Sequence, residues 1–443
     1  MYAFRRLFAL IAILLLLPAC APFGSNGING GAQDPTHKAT ATVRPSPTST
    51  AIAACPAEIG PDVCRTPYDL RVAYGVQSLI ERGFTGKGQT IVDIVSYGSP
   101  TLQQDMDVFD KQFGLPPITI KVLSPLGRVP FNPTVKDMLG WAGETELDVQ
   151  IIHAIAPDAA IVVLTSPVDE TEGTVGLPEF RQLEQYAVTN HLGSIISQSF
   201  GASEVTLNNT DGRQEIQKWD AFFKQATTQH GITFFASSGD GGATDYADLQ
   251  MTKLSPTPTT SFPTDDPWVT SVGGTTLHRN GTAFQENAWS MSGGGFSSFF
   301  TTPSYQQTLP ASVQNLLKHQ RGVPDIAGNA DPNTGLAIYT GGGWTLGGGT
   351  SASAPLWAAF MAIANQMAGH PLGFINPALY KLAMSNAYTQ DFHDITVGNN
   401  SVNSHDLHVH GYPAMQGWDP ITGLGTPVAD KLLPDLIAAT NNK

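Results

Sequence analysis

The sequence predicts an α/β fold: a mostly parallel central sheet with helices on both faces. Two observations carry the expectation. Runs at 90–95, 160–164, 194–199 and 232–236 are rich in Ile, Val and Phe, as strands covered on both sides require. Helix-length amphipathic segments separate them, the clearest being 179–191 and 214–230, and this alternation predicts crossover helices between parallel strands. The second half is richer in Gly and Pro, with Gly273-Gly274, Gly293-Gly294-Gly295 and Gly341-Gly342-Gly343, so long loops are expected there. Residues 428–439 read as a closing helix, and no internal repeat is visible.

At 443 residues and 41% hydrophobic content, the chain can fill a large core and is not a disordered polypeptide. Charged residues make up only 14%, and 37 acidic against 23 basic residues give a formal charge of -14, which excludes nucleic acid as an expected partner. Even with every carboxylate protonated, the 23 basic residues and 11 histidines would leave a sparse positive charge, so self-repulsion in acid would be mild.

Arg5-Arg6 followed by the apolar run 7–17 reads as an export signal too short to span a bilayer, and residues 1–19 are expected to be a signal peptide. The run ends Leu17-Pro18-Ala19-Cys20, which resembles a bacterial lipoprotein box with Cys20 as the lipidated residue. Residues 20–65 are then anchor and linker, Thr-, Pro- and Ser-rich over 40–50, and residues 66–440 form the folded domain. Of the three cysteines, Cys55 and Cys64 can close a small loop in an oxidising compartment, which leaves no orphan thiol. The expected location is secreted or cell-surface, with membrane contact only through Cys20.

Chemistry concentrates in three motifs. Gly348-Gly349-Thr350-Ser351-Ala352-Ser353-Ala354-Pro355 opens the apolar helical run 356–367 and offers Ser351 as a nucleophile near a helix N-terminus. Ser353 lies close by but is displaced from the motif position. A serine hydroxyl needs a base, and Glu144 and Asp148 stand one turn apart on a helix-compatible stretch, where two carboxyls can share a proton. Glu146, two residues from Glu144, points elsewhere and is expected to be solvated. Asp240, in Ser238-Gly239-Asp240-Gly241 after the run 232–236, must be protonated if it is to donate to a developing oxyanion.

Gly-Thr-Ser-x-x-x-Pro resembles the way subtilisin-type folds present serine, while no histidine lies in a comparable motif. Serine with carboxylates and no histidine resembles the sedolisins, the serine-carboxyl peptidases, over nearly all of residues 66–440. The stretches 262–275, 289–297 and 321–332 are collinear with that family's motifs. The resemblance implies a subtilisin-like fold and peptidase activity on proteins or peptides in acid. It implies Ser351 as nucleophile, Glu144 as base and then acid, Asp148 orienting it, and Asp240 as oxyanion donor in place of a subtilisin Asn.

The same resemblance implies substrate-lining segments at Ser199, Phe200 and Gly201 and at Gly293 and Gly294, with the substrate held as an added strand. Many relatives carry Trp where Phe200 stands. It also implies one calcium ion, with Asp394 and Asp419 supplying carboxylates and Ile395, Met415 and Gly417 supplying carbonyls. Met415 replaces a common glycine. His405, His408 and His410 are expected to belong to a solvated insertion rather than a zinc site. Sedolisins usually carry a large prodomain, whereas only a short linker separates Cys20 from Thr66. We expect a monomer. Two other readings use the same residues: an inactive peptide-binding surface lipoprotein, and a conventional Ser-His-Asp hydrolase with His153 as base.

Overall fold

In the computed structural model, residues 54–404 and 406–441 are described. The expected signal peptide, Cys20 and most of the linker, as well as His405, lie outside them. Eight strands form the central sheet: β1 (Thr90–Ser96), β2 (Lys121–Leu123), β3 (Ala160–Ser166), β4 (Ile195–Gln198), β5 (Thr233–Ser237), β6 (Thr270–Asn280), β7 (Ala283–Ala288) and β8 (Ile326–Asn329). Their order is β8-β6-β5-β4-β1-β3-β2, all parallel, and β7 folds back antiparallel on β6. This is the expected mostly parallel sheet.

Alternation along the strands sends side chains to two separate cores. On β1, Ile91 and Val95 face one core while Val92 and Ile94 face the other. The first core packs beneath α1 (Leu102–Phe113), α2 (Lys136–Ile155), α5 (Thr350–Ala368) and the closing helix α6 (Ala429–Asn441). The second packs beneath α3 (Leu177–Thr189) and α4 (Thr210–His230), where Trp219, Phe223 and Phe234 interlock. Helix α5 is apolar on every side because it is enclosed on every side: Leu356 to Ala364 are all essentially buried.

The described chain begins ahead of Thr66. Cys55 and Cys64 are disulfide-bonded, and Arg65 is buried with its guanidinium on the Leu277 carbonyl at 2.7 Å. Thr66 then caps the helix Pro67–Ala73 in a reciprocal capping box with Asp69. Among the described residues, no helix is long and apolar enough to cross a membrane.

This fold buries carboxyls without matching bases. Glu184 and Asp266 are wholly enclosed, and burial holds both well above the ordinary carboxylate range; Glu146 is pushed up to about 9 by the same cause. Each binds its proton more tightly folded than unfolded. The stabilisation is therefore fully present below about pH 4, where both states are protonated, and is lost as the pH rises through the folded-state values. A melting scan across pH should show Tm falling by at least ~5 °C between pH 4 and pH 8; a Tm that rises over this interval would contradict the sign.

Candidate active site

Ser351 is the second residue of α5, and the motif around it has a local reason. Pro355, four residues on, has no N–H to give the Ser351 carbonyl. That carbonyl instead lies 3.2 Å from the Ser199 hydroxyl, which also sits 3.1 Å from Asp148 Oδ1. One proline thus opens a backbone acceptor that ties the nucleophile's turn to the end of β4. Before it, Gly349 has φ 86°, and a β-carbon there would come within 2.4 Å of Asp240 Oδ2. Only glycine meets both demands.

Three carboxyls run inward from the serine. The Ser351 hydroxyl faces the Glu144 carboxyl on α2, whose Oε1 is buried and has no hydrogen-bond partner among the described residues. Asp148 follows one turn along α2, fully enclosed. Opposite it on β1 stands Asp93, also fully enclosed, where the alternation that places Ile91 and Val95 beneath α2 places a carboxyl between them. Asp93 Oδ1 and Oδ2 and Asp148 Oδ2 find no donor side chain, so these two facing carboxyls are placed to share one proton. Desolvation raises all three groups; for Asp148 and Glu144, the neighbouring carboxyls add to it.

Asp240 approaches from the turn after β5. Its Oδ1 accepts from the Thr350 N–H at 2.7 Å and the Thr350 hydroxyl at 2.9 Å, and that hydroxyl accepts from the Gly239 N–H at 3.0 Å. Oδ2 makes no hydrogen bond among the described residues. Burial raises the carboxyl while the Thr350 bonds oppose the rise. Held protonated at the start of α5, Oδ2 can donate beside Ser351. The arrangement can therefore take a proton from an alcohol on one side and give a hydrogen bond to a negative oxygen on the other.

Ser351, Glu144, Asp148 and Asp240 are thus brought together, and Asp93 joins them unforeseen. Its signal was an acid inside an otherwise apolar strand run. Glu146 corrects an expectation: it is not solvated but fully buried, hydrogen-bonded with Gln150 and Ser99 and facing Asp105. Ser353 packs inward with its hydroxyl 3.1 Å from the Gly328 carbonyl. His153 is enclosed, its Nε2 3.1 Å from Asp110 and 2.8 Å from the Pro116 carbonyl. It lies nine residues along α2 from Glu144, about 13 Å at 1.5 Å per residue, so His153 is turned away from Ser351's carboxyl partner.

Of the expected lining residues, Ser199 contacts the carboxyl run directly and Gly201 is exposed. Phe200 differs. Its ring is only 5% exposed and meets Phe180 edge-on at 4.5 Å in the second core, so only its backbone is available to the cleft. Gly293 is tucked under the Asp240 turn, its N–H donating to the Gly239 carbonyl at 2.7 Å, while Gly294 is buried against Pro420 and Val323. A β-carbon on Gly293 would strike the Ser238 carbonyl at 2.1 Å.

At the far end of the chain, Gly417 N–H donates to Asp394 at 3.1 Å and Met415 N–H to Asp419 at 3.2 Å. The Tyr388 phenol faces both carboxyls. Ile395 is buried beside them. Burial raises both aspartates, Asp419 to about 7. Asp419 also accepts from the N–H groups of Ile421 and Thr422 and from the Thr422 hydroxyl, and Asp394 from the Tyr388 phenol, so the two acids offer hard oxygens of the kind calcium takes while capping these loops. No group of three or more His, Cys, Asp or Glu side chains converges among the described residues, so carbonyls must supply part of any shell. His408 and His410 are exposed on the hairpin Val402–Asn403/His408–Val409 and its exit.

The chain belongs to the subtilase family, whose model matches residues 139–418. Within that class it is 34% identical over 387 residues to kumamolisin of Bacillus sp. (strain MN-32), covering 85% of this chain and 64% of that protein. To tripeptidyl-peptidase 1 of Dictyostelium discoideum it is 30% identical over 79% of this chain and 54% of that protein. The solved Pseudomonas sedolisin, a serine-carboxyl proteinase complexed with pseudo-iodotyrostatin, superposes with a TM-score of 0.71 at 26% identity, covering 85% of this chain and 98% of that one. The chain thus spans less than two thirds of the length of these two curated relatives.

Asp93→Asn keeps the side chain's shape and removes its titration. It should raise Tm at pH 8 by ~2 °C or more and leave the pH 4 value nearly unchanged, because the wild-type carboxyl loses its stabilising proton only as the pH climbs. Equal shifts at both pH values would deny the shared proton.

Proposed function

We propose that this chain is a serine-carboxyl peptidase that hydrolyses proteins or peptides in acid through an acyl-enzyme on Ser351. The Ser351 hydroxyl set against the Glu144 carboxyl, with Asp240 bound to Thr350 at the same helix start, is the observation that supports the reading most. Glu144 takes the serine proton as the hydroxyl attacks the scissile carbonyl, and returns it to the leaving amine. Asp148 holds Glu144 in place, and Asp93 shares the proton behind it. Asp240, protonated, donates through Oδ2 to the tetrahedral oxyanion. Water then attacks the acyl-enzyme with Glu144 again as base.

An imidazole in Glu144's place would be protonated and idle at low pH, whereas coupled carboxyls share one proton between two groups, which leaves a carboxylate to accept from Ser351 there. As the pH rises, Asp240 loses the proton it must donate, so activity should be confined to acid. Ser199, Gly201, Gly293 and Gly294, with the Phe200 backbone, are the proposed lining of the peptide channel. Calcium, proposed at Asp394, Asp419 and the carbonyls of Ile395, Met415 and Gly417, would brace the loop that leads to Leu424 and Gly425, which hydrogen-bond the start of β8. We further propose export and anchoring through Cys20, with the chain acting as a monomer.

Assays of a denatured protein at about pH 4 check the roles. Ser351→Ala should abolish turnover, Glu144→Gln should nearly do so, and Asp240→Ala should cost 10²–10³-fold in kcat, the worth of one oxyanion donor. Full activity in any of the three defeats its assignment, and no turnover by the wild type would favour a peptide-binding role instead. Chelation with EGTA should lower Tm by several degrees, with calcium restoring it; an unchanged melting curve removes the metal.

A further inference from the structure

The residues just ahead of Thr66 are bound into the domain, and the backbone they grip leads to the serine. The Arg65 N–H donates to the Gly335 carbonyl at 2.8 Å and the Ala337 N–H donates to the Arg65 carbonyl at 3.1 Å, so Arg65 lies as a short parallel strand beside Leu336. The Leu336 carbonyl points the other way and accepts from the Gly347 N–H at 2.8 Å. A β-carbon on Gly335 would come within 1.9 Å of the Gly347 carbonyl, so these two runs meet backbone to backbone. Gly347 opens the turn that carries Ser351. Two residues on, the Gly349 N–H donates to the Ala330 carbonyl at 2.7 Å, and Thr350 then binds Asp240. Leu336 thus stands between Arg65 and the serine turn.

The Arg65 side chain tightens the same point. Its guanidinium donates through Nε and Nη2 to the Leu277 carbonyl at 3.1 and 2.7 Å, and through Nη1 to the carbonyls of Asp62 and Cys64 at 3.1 and 2.9 Å. The Leu277 N–H donates in turn to Asn329 Oδ1 and Thr334 Oγ1, and Asn329 Nδ2 donates to the Thr334 carbonyl at 2.6 Å. A buried guanidinium has to find acceptors for its N–H groups, and this one draws the end of β6 and the entering loop together around the run 329–336. Two of its acceptors, Asp62 and Cys64, belong to the loop closed by the Cys55–Cys64 disulfide. Closing that loop removes conformations in which their carbonyls would face water. On the inner side, a small cavity bordered by Leu336, Gly347 and Ala352 leaves the packing incomplete. Hydrogen bonds from the Arg65 side, rather than close packing from within, therefore set where Leu336 and Gly347 stand.

We propose that Arg65, held by the Cys55–Cys64 loop, is a positioning residue for the nucleophile: it fixes Leu336, and through Leu336 it fixes Gly347 and the turn that presents Ser351. The inference rests on the peptidase reading for what that turn does. Its first readout is accordingly amide hydrogen exchange, which needs no turnover. Full-chain protein carrying Ser351→Ala is compared at pH 5 with the same protein carrying Arg65→Met, Arg65→Lys or the pair Cys55→Ser and Cys64→Ser. Exchange is read by mass spectrometry over 335–349, with α4 as the reference segment.

Exchange over 335–349 should quicken about tenfold in the Met variant and in the double Ser variant, with α4 unchanged. Lysine keeps the charge but not the fork, and should quicken it about threefold. With Ser351 intact, Arg65→Met should lower kcat about tenfold on a denatured protein, leave KM within about twofold and leave the pH profile's shape in place, because the turn is displaced while the carboxyls are not. A variant that fails to fold is replaced by folded wild type treated with a water-soluble phosphine. The phosphorus takes up the oxygen of water, and two electrons and two protons pass to the sulfurs of Cys55 and Cys64. Unchanged exchange over 335–349 in the Arg65 variants and after reduction overturns the proposal, as does equal quickening over 335–349 and α4, which is a general loss of stability. Quickened exchange with kcat unmoved also overturns it. Wild-type protein that turns over no substrate, yet shows the local quickening, removes the peptidase reading and leaves Arg65 as the brace of this turn.

Discussion

A carboxyl taken out of water and given no cation can remain only by holding a proton, and this constraint organises the molecule. Asp93, Asp148 and Glu144 lie between β1, α2 and α5, where burial raises all three and Asp93 and Glu144 add to the cost of ionising Asp148. Had one of them faced an arginine, it would have been a fixed anion, unable to pass a proton to or from Ser351. The sparse basic composition thus becomes structural: few cations are available to quench the acids. Where a cation is buried, as at Arg321, it is committed to Asp325 through two hydrogen bonds of 2.8 and 2.6 Å, far from the role of proton carrier.

The same constraint links stability to working conditions. Glu146, Glu184 and Asp266 lie apart from the serine, yet their burial makes the fold favour the protonated side as Glu144, Asp148 and Asp93 do. The proposed acid-working site and the acid-favouring scaffold share one physical cause. They need no separate explanations.

The local elements of the site were legible because they are encoded within a few residues. Glu144 and Asp148 share a helix face by their spacing alone, and Gly349, Ser351 and Pro355 shape a helix start through φ and a missing N–H. Glu146 was misread because helical spacing says which side a residue takes but not what waits there: α1 and the turn at Gly341 close over it. Asp93 escaped notice because an acid in a strand acquires meaning only from the helix laid across it. Phe200 sits at an expected lining position, but alternation turns its ring into the second core.

What the sequence by itself determined is the parallel α/β framework, the helix that carries two carboxyls one turn apart, and the serine at the head of a buried helix, since periodicity, spacing and proline chemistry act over a few residues. Tertiary structure decided the rest: Ser199 bridging Asp148 and the Ser351 carbonyl, Asp93 completing the proton-sharing run, and Asp240 reaching the start of α5 from 110 residues away. The reason is that desolvation belongs to no single residue. It exists only once distant segments have closed over a group and excluded water from it.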